Sequence, residues 1–103
     1  EGLVGDHDAG MAFYIANCST CHGVNGDGKG PRAYFILPKP RDFKHPGARN
    51  SLNRARLFEG IAKGVRGSEM PAWDKVLTPQ DIANIAEYVY RAFIQPDTAG
   101  QSL

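Results

Sequence analysis

Apolar residues gather into three helix-like stretches, and between the first two lies a long segment with no periodicity. From Asp8 to about Asn17, Ala9, Ala12, Phe13, Ile15 and Ala16 form a mostly apolar run, with Asp6 or Asp8 placed to cap its first turn. From Ser51 to Lys63, Leu57, Phe58 and Ile61 recur at helical spacing, Gly60 weakens the run, and Gly64 is placed to stop it. The third stretch is the best specified. Thr78 caps it, Pro79 stands where a missing N–H costs nothing, and Asp81 follows three residues after the cap. Ile82, Ile85, Ala86, Val89 and Phe93 then make one stripe at spacings of three and four, and Pro96 closes it. The segment Gly-Val-Asn-Gly-Asp-Gly-Lys-Gly-Pro, followed by Pro38, Pro40 and Pro46, is too rich in Gly and Pro for regular structure. So long a loop inside a compact domain is unusual unless it wraps something. With no alternating strand and no internal repeat, the pattern predicts an all-α fold.

The length of 103 residues, 42% of them hydrophobic, suits one domain spanning 1–103 and is too short for two. A domain this small gains stability from any large apolar group bound inside it. A formal charge of +1 does not suggest nucleic-acid binding. Its distribution is more telling: residues 1–28 hold four acids and no Lys or Arg, whereas 29–56 hold eight basic residues against Asp42 alone. That basic run is a solvated loop, an electrostatic docking surface, or a counter-charge for an anionic cofactor. No run of eighteen apolar residues exists to span a membrane. The first residues lack the charged and apolar regions of a signal peptide, which fits either a processed chain or a domain cut from something longer.

The chemistry concentrates at Cys18-Ser19-Thr20-Cys21-His22. A structural zinc needs four ligands, and Cys18, Cys21, His7 and His45 lack the spacing of a zinc finger. A thiol–disulfide exchange site places its Cys pair at the start of a helix, whereas here the helix comes first. A plain disulfide leaves His22 unexplained. Haem attachment uses the whole pentad: two thiols spaced by two residues reach the two vinyl groups of a porphyrin, and the next residue sets an imidazole under the iron. Ser19 and Thr20 then serve as small spacers, and Gly23 lets the backbone turn away.

A ligand on the opposite face needs a long excursion of the chain. Met11 lies on the helix leading into the motif and reads as helix packing, and His7 near that helix's start reads as exposed. Met70 lies 48 residues beyond His22, after Gly64, Gly67 and Ser68 and before Pro71, a loop able to lay a side chain over a ring. It is preferred to His45 as the second axial ligand. A thioether favours ferrous iron and raises the reduction potential relative to a second imidazole.

The chain resembles the small class I c-type cytochromes with one haem. The resemblance rests on Gly10 and Tyr14, Cys18 to His22, Gly30-Pro31, Met70-Pro71-Ala72-Trp73 and Tyr88. It implies an all-α cytochrome c fold, three to four helices wrapped around one haem c bound through Cys18 and Cys21, with His22 and Met70 on the iron. It also implies that Gly10 lets the first and last helices cross closely, opposite Tyr88. By the same resemblance the Pro31 carbonyl accepts the His22 Nδ1 proton, and Trp73 lies near the haem and donates its indole N–H to a propionate. Lys39 and Arg41 either neutralise propionates or face water. Glu69, directly before the expected ligand, departs from many relatives, and the Lys-rich ring of mitochondrial members is missing. The Gly-Asp-Gly-Lys-Gly-Pro and Pro-Lys-Pro-Arg-Asp-Phe segments look like bacterial haem domains of respiratory chains, including ones joined to oxidases and nitrite reductases.

With both axial positions filled by protein, the activity that follows is electron transfer rather than catalysis. The expectation is a monomeric periplasmic carrier that docks briefly with respiratory redox partners. The alternatives are an electron-input domain or subunit of a larger reductase or oxidase, and a gas sensor with a weak Met70 bond.

Overall fold

The computed structural model describes residues 3–65 and 67–95. Five α-helices occur among them: α1 (His7–Asn17), α2 (Ser19–His22), α3 (Pro46–Ser51), α4 (Arg54–Lys63) and α5 (Pro79–Val89). Short 3-10 turns cover Pro31–Phe35 and Trp73–Lys75, and there is no strand among the described residues.

The ends of α5 follow its sequence closely. Thr78 Oγ1 accepts from Asp81 N, and an Asp81 carboxylate oxygen accepts from Thr78 N, so both ends of the capping box are made. Ile82, Ile85, Ala86, Val89 and Phe93 are all buried, as the stripe predicts. After Val89 the helix widens into one π turn over Tyr90–Ile94, with Gln95 N donating to Tyr90 O at 2.8 Å. Pro96, expected to close the helix, lies outside the described residues.

The first helix is where it was expected, capped by Asp6, but its buried face is not the one its apolar residues suggest. Ala9, Ala12, Ile15 and Ala16 are exposed, and Met11 is exposed rather than packed. Gly10 and Tyr14, one turn apart, face α5 instead. A Cβ on Gly10 would run into the Asn84 carbonyl oxygen, so the two backbones approach as only glycine allows. The partner of Gly10 is therefore the Asn84 backbone, while Tyr88, one turn further, packs on Tyr14 and His7 at ring-centroid distances of 5.4 and 5.1 Å.

The stretch read as one helix from Ser51 to Lys63 is two. Ser51 ends α3, and Asn53 caps α4 by accepting from Arg56 N at 2.8 Å, with Leu52 extended between them. The helix α3 begins inside the segment read as irregular: Pro46 occupies its first turn, and His45 Nδ1 accepts from Gly47 N at 3.0 Å. His45 is thus a helix cap. Arg54 ties α4 to α5 through Glu87 at 2.7 Å, with its guanidinium over the Tyr90 ring. Tyr14, Phe43, Leu57, Ile61, Ile82, Ile85, Val89 and Phe93 are among the side chains of one continuous core. Cys18, Met70 and Trp73 pack against that same core from its edge.

Candidate functional site

The pentad is itself a helical turn. Cys18 ends α1 and caps α2, its N–H donating to Tyr14 O, and the His22 N–H donates back to Cys18 O at 3.0 Å. Cys18 and Cys21 therefore lie three residues apart on one turn, and His22 follows directly. Both thiols are free and half-buried. Burial, reinforced by Cys21, pushes the Cys18 thiol up to about 12, so it stays protonated at neutral pH. Among the described residues no three His, Cys, Asp or Glu side chains converge as a metal site, so Cys18, Cys21, His7 and His45 are not gathered for zinc.

The spacers do more than fill space. Ser19 is buried and donates its hydroxyl to Ile15 O at 2.7 Å, closing the α1–α2 junction. Gly30 sits so close that a Cβ there would strike the carbonyl oxygens of Ser19 and Thr20, while its N–H donates to Cys21 O at 3.0 Å. Gly23 has φ 85°, which lets the chain leave α2 sharply. Its carbonyl accepts the buried Tyr14 hydroxyl at 2.7 Å.

The His22 ring is held from two sides. It stacks on Phe43, with centroids 4.7 Å apart and planes 19° apart, and Phe43 stacks in turn on Phe93. Nδ1 lies 3.2 Å from the Arg41 carbonyl oxygen. A carbonyl can only accept, so Nδ1 carries the proton and Nε2 keeps its lone pair for a metal. Burial lowers the His22 pKa against the opposing pull of that carbonyl, which favours the neutral imidazole. The expected acceptor was the Pro31 carbonyl, and in this structure the bond goes to Arg41 instead. Gly30, locked onto α2, delivers Pro31 into an exposed 3-10 turn. The segment before Phe43, pinned by the Phe43 N–H to Gly26 O bond at 2.8 Å, runs past the imidazole.

Met70 is half-buried on a tight loop after α4. Gly64 ends that helix with φ 72°, and a Cβ there would press on the Met70 carbonyl at 2.7 Å. Trp73 is half-buried and meets Phe13 of α1 edge to face at 5.2 Å. Lys39 Nζ donates to Ala33 O at 2.7 Å, and the Arg41 guanidinium donates to Ser51 Oγ at 2.9 Å, so both cations have partners in the protein. His7 is partly covered by Tyr88 rather than freely exposed. A cleft of about 500 Å³ between Leu3, α4 and α5 contains none of these residues.

The sequence pattern described as "Cytochrome C oxidase, cbb3-type, subunit III" matches residues 5–89. The chain belongs to that family. It is 30% identical over 89 residues to the cbb3-type cytochrome c oxidase subunit FixP of Azorhizobium caulinodans, covering 79% of this chain and 25% of the subunit. The chain thus spans about a quarter of the length of such subunits. It is 35% identical over 83 residues to cytochrome c6 of Euglena gracilis, covering 79% of this chain and 86% of that protein. Among solved structures, the c-type cytochrome KustC0563 superposes with a TM-score of 0.65 at 27% identity, over 82% of this chain and 96% of that one. The fold is that of the class I c-type cytochromes, whose members carry covalently attached haem c.

Proposed function

We propose that this chain carries one haem c on Cys18 and Cys21, ligated by His22 Nε2 and Met70 Sδ, and passes single electrons between respiratory redox partners. The observation that carries this reading is the His22 ring, whose proton is committed to the Arg41 carbonyl while Nε2 stays available beside two free thiols on the same turn. Bound haem supplies an iron that cycles between ferric and ferrous states. The chain's own residues do the rest. Cys18 and Cys21 anchor, the Arg41 carbonyl and Phe43 orient the imidazole, and the Gly64–Met70 loop positions a thioether. Trp73, Phe13 and the core beneath them keep water away.

With both His22 and Met70 holding the group, no vacant place would be left for substrate, and the chain would act as a carrier and not as an enzyme. It works as a monomer in the periplasm, where haem attachment takes place, and its redox partners dock transiently. A second reading, an electron-input domain of a larger oxidase or reductase, is favoured by the span of about a quarter of the cbb3-type subunits. Carbon monoxide added to the reduced protein tests whether Met70 would hold its place. An unchanged visible spectrum is expected, and rapid formation of a carbonyl complex would mean a sensor-like open site instead.

A further inference from the structure

The loop that bears Met70 is closed on itself. Ser68 Oγ accepts from Met70 N at 3.1 Å and donates to Val65 O at 2.7 Å, and Val65 N donates to Met70 O at 3.3 Å. These bonds shape the loop without joining it to the segment that carries His22. Arg32, two residues past Gly30 in the 3-10 turn packed on α2, reaches across with Nη2 3.6 Å from Oε1 of Glu69, the residue next to Met70. Among the described residues this is the one ion pair between the segment that follows His22 and the loop of Met70.

Resting on the reading that Met70 binds the iron, we propose that the Arg32–Glu69 pair is a latch that stabilises the closed Met70 loop and so weakens the binding of external ligands that displace its thioether. Glu69 is a positioning residue, and its carboxylate beside the ligand has a structural use. Because the side chains are 60% and 54% exposed, the latch is weak and screened by salt, with an effect of about 1.5- to 5-fold on ligand displacement. A latch of this strength holds the loop at rest and still lets it move.

The test is an imidazole titration of the oxidised, haem-loaded protein at low ionic strength, following loss of the red absorption band that reports sulfur on ferric iron. Arg32→Gln and Glu69→Gln should each raise the apparent imidazole affinity about 1.5- to 5-fold. The charge-reversed double variant R32E/E69R should bring it back toward wild type. Salt at about 0.5 M should loosen the wild type to the level of the single variants and leave those variants unmoved. Unchanged affinity in both single variants, no recovery in the double variant, or an equal salt response in all forms would overturn the latch. Absence of the red band from the wild type would overturn the Met70 ligation and the latch together. A wild-type band with unaltered affinities would overturn the latch alone.

Discussion

Tyr14 ties the entry of the motif to its exit. Its buried hydroxyl donates to the Gly23 carbonyl, which also accepts from Gly26 N, so Tyr14→Phe removes one bond without stranding the acceptor. The expected loss is about 1 kcal/mol in denaturant unfolding. Burial raises the phenol's pKa above its unfolded value. A raised folded pKa means that the phenol's contribution is complete below the unfolded value of about 10 and is lost as pH climbs through the folded one. The wild type should therefore lose stability faster than Tyr14→Phe as pH rises above about 10. Parallel losses in denaturant melts across that range would show that Tyr14 does not carry this dependence. At this scale the pentad stands out because its chemistry is local, with two thiols and an imidazole contained in five consecutive residues. The partner of His22 was not legible. Every residue has a carbonyl, and only the path of the chain through Phe43 and Gly26 selects that of Arg41.

Helices whose signals are side chains were read well, and contacts made by missing side chains were not. The cap and stripe of α5 each name a residue type, so its start and buried face both followed from sequence. The face of α1 depends on Gly10, which registers on no hydrophobic pattern, and the apolar Ile15 and Met11 on its outer side misled. The break between α3 and α4 turns on Asn53 acting as a cap inside an otherwise continuous run. Gly10→Ala tests the α1–α5 crossing directly. Its Cβ must push the Asn84 backbone away, so urea unfolding should show a loss of about 1–3 kcal/mol. An unchanged midpoint and slope would mean that the helices can separate freely and that the crossing does not depend on glycine.

Across the whole molecule, charge and cofactor are arranged on different principles. The motif sits in the acidic first quarter of the chain, whereas the basic residues from Lys29 to Arg56 follow it in the loops and short helices that the Gly- and Pro-rich segment forms. Arg32, Lys39, Arg41 and Arg54 have partners within the protein yet keep their charge at the surface. Oxidation of the reduced protein by ferricyanide, an anionic probe, should slow as salt rises, because screening weakens attraction to such a patch. A rate independent of salt would assign the basic run to solvation alone. The proposed ligands, the orienting carbonyl and the latch all turn on the cofactor. The intact mass of the denatured protein, purified from a host able to attach haem c, measures it most directly. The mass should equal the polypeptide plus one haem and fall to the bare polypeptide in the Cys18→Ser, Cys21→Ser double variant. A wild-type mass matching the polypeptide alone would contradict the account at its root.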